Sequence, residues 1–210
     1  MIKVGIMGGT FNPIHLGHIR LAKAAYKQFA MDKVLFIPSG EPPHKKDQAI
    51  ADGAHRMKMV ELAIKDYEYF EACDIEIMRE GYSYTSDTLK ELHKQNPDEE
   101  YYFILGADSL FQMENWKRAD EIFDQCIVLA ANRDDIPKEE FLEKIKYLRE
   151  KFHGDIRALD TPMMHISSTQ IREALGDNVL DGEDDVNPRF LDKNVVNYIL
   201  EHKLYEHEDA

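Results

Sequence analysis

The sequence has few cysteines, few basic side chains and no long apolar run, and each shortage excludes a class of protein. Only Cys73 and Cys126 occur in 210 residues, and neither belongs to a Cys-x-x-Cys pair. Such a chain is no disulfide scaffold, so we expect two buried thiols in a reducing compartment. No apolar run approaches the roughly 20 residues of a membrane helix. No signal-peptide pattern precedes the strand-like residues 2–7, which predicts a cytoplasmic protein without a membrane partner.

Acidic side chains outnumber basic ones by 40 to 26, which gives a formal net charge of −14. A general nucleic-acid binder normally carries a basic surface, so this balance argues against nucleic acid as a partner. A negative field also repels anionic ligands, so an enzyme for nucleotides would have to gather its positive charge locally. The length fits a single domain over residues 1–210, and the sequence leaves a homo-oligomer open.

Short β-branched runs alternate with amphipathic segments along the whole chain. This alternation predicts βαβ units and therefore an α/β fold with a doubly wound, Rossmann-like parallel sheet. Such sheets bind ligands beyond the carboxyl ends of their strands, where the strand order reverses. The last part of the chain, from about residue 165 to 210, is predicted to be helical. The predicted strands are 2–7, 34–38, 70–77, 101–105, 127–131 and 156–159; the predicted helices are 16–30, 54–65, 86–95, 109–113, 138–151, 169–175 and 192–202.

The first candidate functional segment, GGTFNPIHLGH at residues 8–18, follows the first predicted strand. Gly8 and Gly9 allow a sharp turn close to a ligand, and the next helix adds the positive end of its dipole. His15 and His18 share one face of that helix start, and Gly17 leaves room between them for a ligand. The pair can donate to phosphate oxygens, can be structural, or can belong to a metal site, although no third ligand is near.

The second candidate segment is ISSTQIR at residues 166–172. Ser167 and Gln170 fit a capping box, so an ordinary capped helix explains part of the pattern. Ser168 and Arg172 are four residues apart and share a helix face. Together with the free N–H groups of the helix start, these two side chains can also grip a polyphosphate.

Both segments resemble the signatures of the nucleotidyltransferase superfamily that carries the HxGH motif. Within it, the first segment is similar to that of the bacterial nicotinate-nucleotide adenylyltransferases. This resemblance implies transfer of AMP from ATP to nicotinate mononucleotide in NAD biosynthesis, with Mg²⁺ held mainly by the ATP phosphates and no dedicated metal site in the protein. It implies catalytic roles for His15, His18 and Arg172. It implies ATP or phosphate binding by Gly8, Gly9, Thr10, Phe11, Gly106, Asp108, Arg133, Ser167, Ser168 and Thr169.

The same resemblance extends to segments that would select the acceptor. The basic loop at residues 42–46 is similar to the family's PPHK loop and implies that His44 and Lys45 contact the mononucleotide. The segment at residues 82–89 gives Thr85 a role in holding the nicotinate carboxylate, although capping of the next helix also explains a threonine there. Trp116 would stack on the pyridine ring; an isolated tryptophan is more often part of a core.

The sequence therefore leaves three interpretations of the function. One is nicotinate-nucleotide adenylyltransferase. The second is another adenylyltransferase of the superfamily, with nicotinamide mononucleotide or phosphopantetheine as acceptor. The third is a nucleotide-binding module without catalysis. The acidic stretch at residues 176–187 departs from the family pattern, and we expect either a solvated surface loop or a partner-binding loop there.

Overall fold

A computed structural model of the chain describes residues 1–40, 50–132, 136–161, 166–176 and 190–205. The strands are β1 (Ile2–Gly9), β2 (Lys33–Pro38), β3 (Phe70–Ala72), β4 (Glu99–Gly106), β5 (Ile127–Ala131) and β6 (Ile156–Leu159). The helices are α1 (Leu16–Gln28), α2 (Gly53–Ile64), α3 (Thr85–Gln95), α4 (Ala107–Gln112), α5 (Ala119–Gln125), α6 (Lys138–Phe152), α7 (Ser168–Gly176) and α8 (Lys193–Glu201). A 3-10 turn at Met113–Asn115 follows α4.

The six strands form one parallel sheet in the order β3-β2-β1-β4-β5-β6. β1 lies at the point where the order reverses, because it pairs with β2 on one side and with β4 on the other. The crevice beyond the carboxyl ends of β1 and β4 is where doubly wound sheets bind ligands. The predicted α/β, doubly wound fold is confirmed.

Helices cover both faces of the sheet, and each face has its own core. On one face, Ile19 of α1, Val60 of α2 and Val195 of α8 pack together with Ile171 of α7. The other core contains apolar side chains of α3, α4, α5 and α6. Because both faces are covered, the middle parts of the central strands consist of buried, mostly apolar residues.

Two elements differ from the sequence prediction. β3 ends at Ala72 and not at Ile77: Ala72 pairs with Phe36, two residues before β2 stops at Pro38, and the chain beyond closes on itself, with the Met78 N–H donating to the Asp74 carbonyl at 2.9 Å. Helix α5, of seven residues, was not predicted.

The cysteine prediction is half right. Cys126 is buried, whereas Cys73 is only partly buried at the end of β3. Both are free thiols, and burial raises the pKa of each. No helix within the described ranges is long and apolar enough to cross a membrane. The acidic stretch lies outside those ranges except for Gly176, the last residue of α7.

Candidate active site

A cavity of about 630 Å³ opens beyond the carboxyl ends of β1 and β4. Residues from the starts of α1, α3 and α7 line it together with the turn between β4 and α4. The predicted site residues that line it are Gly8, Gly9, Thr10, His15, His18, Thr85, Gly106, Asp108, Trp116, Ser167, Ser168, Thr169 and Arg172. Phe11 is not among the lining residues, and His44, Lys45 and Arg133 lie outside the described part of the chain.

The sharp turn after β1 is made by Phe11 and not by the two glycines. Gly8 and Gly9 still belong to the strand, in register with Ile37 and Pro38 of β2. Phe11 has a φ of 49°, and its buried ring contacts His18 edge-on, with centroids 5.0 Å apart. A side chain at Gly9 would come within 3.2 Å of the Phe11 ring. The glycine therefore lets the Phe11 ring pack closely against the strand, and Phe11 in turn supports His18.

His15 and His18 form one stacked unit at the start of α1. Their ring centroids are 3.8 Å apart at an interplanar angle of 29°. The His15 N–H donates to His18 Nδ1 at 3.2 Å, so a neutral His18 carries its proton on Nε2. Burial lowers the pKa of His15 to about 4, so that imidazole is neutral near pH 7. The unit offers hydrogen-bond donors to the cavity while His15 adds no charge of its own.

Gly17 makes room for the His15 ring. A Cβ at this position would lie 2.9 Å from two atoms of that ring. The sequence indicated space for a ligand at Gly17. The structure shows that the His15 ring occupies part of this space, although Gly17 also lines the cavity.

The two signature segments are bonded directly to each other. Ser168 Oγ donates to the Pro13 carbonyl at 2.9 Å, across 155 residues of sequence. Arg172 donates to the Asn12 carbonyl at 2.8 Å and to Thr169 Oγ1 at 3.3 Å. The predicted capping box of α7 is confirmed, with Ser167 N–H bonded to the Gln170 side chain and Gln170 N–H to Ser167 Oγ. The cap orients the first turn of α7, which faces the histidine pair across the cavity.

Asn12 connects four distant segments, and sequence reasoning gave it no role. Its side-chain oxygen accepts from the Ala51 N–H at 3.0 Å and from the Tyr205 hydroxyl at 2.9 Å, while its carbonyl accepts from Arg172. Burial raises the pKa of Tyr205, so its hydroxyl remains a donor. No local pattern could have shown this, because Tyr205 is 193 residues away in sequence.

Arg56 is a second residue that the sequence did not indicate. Its side chain is buried, with the residue only 3% exposed, and it donates to the carbonyls of Thr10, Ser39, Gly40 and Ala51. The four acceptors lie in the loops that follow β1 and β2 and in the segment before α2. Arg56 therefore holds two loops of the ligand crevice together. An arginine at the start of an amphipathic helix usually faces solvent, so the residue type alone gave no signal.

The far end of the cavity contains Thr85 and Trp116. The residue that caps α3 is Tyr84, and Thr85 is the first residue inside the helix, so the alternative that Thr85 serves only as the cap of α3 does not hold. Trp116 ends the 3-10 turn, and its ring meets Phe103 edge-on at 6.1 Å. Glu76 is partly buried and lines the same cavity, and its carboxylate accepts from Thr88 Oγ1 at 2.7 Å. Burial raises the pKa of Glu76.

Comparison with known sequences places this arrangement in a family. The sequence model of the cytidylyltransferase-like family matches residues 6–174. A curated "probable nicotinate-nucleotide adenylyltransferase" of Lachnoclostridium phytofermentans is 44% identical over 205 residues, which cover 98% of this chain and 100% of that one. A relative of the same name from Carboxydothermus hydrogenoformans is 37% identical over 97% of this chain and 98% of its own. The chain belongs to the nicotinate-nucleotide adenylyltransferase family. The family resemblance of the two signature segments is confirmed.

Solved structures share the fold of this nicotinate-nucleotide adenylyltransferase family member. A Plasmodium falciparum nicotinic acid mononucleotide adenylyltransferase complexed with NaAD matches with a TM-score of 0.76 at 20% identity, over 98% of both chains. A structure from Vibrio parahaemolyticus, titled as that of a nicotinate-nucleotide adenylyltransferase, matches with a TM-score of 0.68 at 23% identity, over 99% of this chain and 98% of that one. At these identities the likeness concerns the fold.

The cavity of this family member concentrates positive charge, as an acidic chain with anionic ligands requires. Arg20, Lys117 and Arg172 line it, against two carboxylates, those of Glu76 and Asp108. The lining therefore has a small positive balance, whereas the whole chain carries −14. Arg20 and Lys117 were not predicted. Only their closeness to His18 and Trp116 in sequence could have suggested them.

No group of three or more His, Cys, Asp and Glu side chains within the described ranges could hold a metal ion. The carboxylate of Asp108 stands at the cavity wall without two further such ligands beside it. This arrangement fits a metal ion that is bound mainly by phosphate oxygens and water, as Mg²⁺ commonly is with nucleotides. It does not fit a closed protein site such as structural zinc requires.

Proposed function

We propose that the cavity transfers the AMP part of ATP to the 5′-phosphate of nicotinate mononucleotide, giving nicotinate adenine dinucleotide and pyrophosphate. The observation that carries this proposal is the direct bonding of the two signature segments, with Ser168 and Arg172 bound to the loop that leads into His15 and His18. It brings the phosphate donors of two helix starts to one cavity, as a reaction at the α-phosphate needs.

In the proposed reaction, a phosphate oxygen of the mononucleotide attacks the α-phosphorus in line, and the bond to the β-phosphate oxygen breaks. The attacking phosphate is already an anion near pH 7, since its second pKa is about 6, so no general base is needed. Catalysis then consists of positioning and charge stabilisation. A Mg²⁺ ion bound with the ATP phosphates neutralises part of their charge.

Each group of residues has one task in this scheme. His15 and His18 donate to the α-phosphate, and the backbone of residues 8–11 cradles the phosphate chain. Arg172, with Ser167, Ser168 and Thr169, holds the departing pyrophosphate. Gly106 and Asp108 contact the nucleotide, while Thr85 and Trp116 receive the nicotinate ring, its carboxylate at Thr85 and its face on the indole. Arg133 belongs near the adenosine, and His44 and Lys45 near the mononucleotide.

A pyrophosphate-release assay tests the reaction and the acceptor together. Purified protein with ATP and Mg²⁺ is supplied in turn with nicotinate mononucleotide, nicotinamide mononucleotide and phosphopantetheine. We expect rapid release with the first, and nicotinate adenine dinucleotide as its product by mass spectrometry. Faster release with either of the other acceptors would reassign the substrate, and no release with any of them would leave only nucleotide binding.

A further inference from the structure

Arg118 follows Trp116 by two residues and begins the turn into α5. Its backbone lies in the left-handed region, with φ 54° and ψ 52°, which reverses the chain directly after the tryptophan. Its side chain is partly buried, and it is not among the residues that line the cavity. Arg118 therefore lies behind the wall that Trp116 presents to the ligand.

The Arg118 side chain reaches across to the first turn of α3. Its Nε donates to Ser86 Oγ at 2.9 Å, one terminal nitrogen forms an ion pair with Asp87, and the guanidinium lies 5.7 Å from the centre of the Tyr84 ring. These three partners flank Thr85 on both sides. Ser86 is fully buried, so loss of its Arg118 donor would leave a hydroxyl in a site closed to water.

We propose that Arg118 is a positioning residue that sets the spacing between Thr85 and Trp116, and through it the affinity for the acceptor nucleotide. The inference rests on the proposed function, because it takes the gap between these two residues to be the acceptor's ring site. A forked guanidinium suits this task, since it holds a hydroxyl and a carboxylate of one helix turn in fixed directions.

The position of Arg118 predicts an effect on one substrate only. The segments assigned to ATP are tied together by bonds of Ser168 and Arg172 to the loop after β1, whereas Arg118 contacts α3, its capping residue Tyr84 and α5. Removal of the Arg118 contacts should therefore widen the gap between Thr85 and Trp116. The segments assigned to the triphosphate should stay unchanged.

The main variant is Arg118→Gly, because glycine keeps the left-handed backbone while removing the side chain. Arg118→Lys keeps a cation that can pair with Asp87 but cannot also hold Ser86 in the same fork. The control is Lys90→Ala. Lys90 also bridges α3 and α5, through Glu121 Oε2 at 2.7 Å, an atom that lies 3.2 Å from Arg118 Nε as well. The variant therefore removes a neighbouring bridge from the exposed surface and leaves the contacts of Arg118 with Ser86 and Asp87 in place.

The first readout is steady-state kinetics with each substrate varied at saturating concentration of the other. We expect Arg118→Gly to raise the KM for nicotinate mononucleotide by about 10- to 100-fold, the scale of a catalytic geometry displaced by about 1 Å. The KM for ATP should stay within about twofold of the wild-type value. The acceptor KM of Arg118→Lys should lie between those of wild type and Arg118→Gly, and Lys90→Ala should match wild type for both substrates. An unchanged acceptor KM in Arg118→Gly, or equal rises for both substrates, would overturn the proposal.

The second readout does not depend on the reaction. Trp116 is the only tryptophan, so acrylamide quenching of intrinsic fluorescence reports its exposure in the unliganded protein. We expect a larger quenching constant in Arg118→Gly than in wild type or Lys90→Ala; equal constants would refute the positioning role. If the wild-type protein did not use nicotinate mononucleotide, the proposed acceptor would be wrong. The quenching measurement would still decide whether Arg118 holds Trp116 in place.

Discussion

At the scale of single residues, the stacked histidines are the most informative feature of the molecule. The capping position puts His15 in a buried place where its imidazole is neutral, and its N–H group fixes the proton of a neutral His18 on Nε2. Phe11 below and Gly17 beside the pair set its position. The arrangement supplies donors directed by the backbone, so little reorganisation is needed when charge develops on phosphorus.

His18→Ala tests the donor role. We expect kcat to fall by about 10²–10³, the usual loss for one preorganised donor, while circular dichroism and the thermal midpoint stay close to wild type. The control is His153→Asn, which changes an exposed histidine at the end of α6 and keeps a residue that accepts a positive φ. A folded His18→Ala protein with near-normal kcat would contradict the assignment.

The neutral state of His15 predicts a dependence of stability on acid. Its pKa is about 4 in the folded chain and 6.5 ordinarily, so between these values the unfolded chain binds one more proton. The free energy of unfolding should therefore fall as the pH drops from 6.5 towards 4, by about 3 kcal/mol at most from this group. Urea denaturation of wild type and His15→Asn along this range checks it. Parallel curves for the two proteins would show that His15 is protonated equally in both states.

At the scale of elements, the crevice is made of loops that the sheet alone does not hold. The loops after β1 and β2 end side by side, and their carbonyls converge on the Arg56 guanidinium. A buried cation that is satisfied mainly by backbone carbonyls is an expensive arrangement, which is stable only while every donor is used. Helix α2 thus contributes to the site through its first turn, without lining the cavity.

Arg56→Lys should separate these loops. We expect the free energy of unfolding to fall by about 3 kcal/mol, because the lysine ammonium cannot reach four carbonyls and leaves some of them unpaired. The KM for ATP should rise as well, since Thr10 loses its anchor. Urea denaturation and steady-state kinetics measure both effects. Lys58→Ala, on the exposed face of the same helix, should change the free energy by less than about 0.5 kcal/mol; equal losses in the two variants would show that Arg56 has no special part.

At the scale of the whole molecule, the end of the described chain returns to its beginning. Tyr205 follows α8 and donates to Asn12, whose carbonyl anchors Arg172 of α7. The C-terminal helices therefore close the site from the side of α1 and α2, and the phosphate end depends on contacts from both ends of the chain.

Tyr205→Phe tests this closure. Loss of a hydrogen bond of about 1 kcal/mol should lower kcat/KM for ATP roughly fivefold, with little loss of packing. Tyr198→Phe is the matched control, since it removes a hydroxyl that contacts His55 of α2 and not the loop after β1. Similar kinetics in both variants would argue that the tail only adds stability.

The sequence by itself determined the α/β order of the elements, the two signature segments and thirteen of the residues that line the cavity, which are fewer than half of its lining. These properties are local: apolar periodicity shows which face of an element is buried, and a capping box or a glycine pair acts within a few residues. For the same reason the bounds of most elements differ by only one or two residues from those predicted. The exceptions are β3, which ends opposite Phe36 before β2 stops, and α5, which was not predicted.

Only the tertiary structure decided which side chains hold the site together. Asn12, Arg56, Arg118 and Tyr205 act mainly through bonds to segments between 16 and 193 residues away. Such contacts depend on the strand order and on which loops meet at the switch point. No local sequence pattern predicts either of these. The residues assigned to touch the ligands could thus be read from the sequence, whereas those that position them became visible only when the chain was folded.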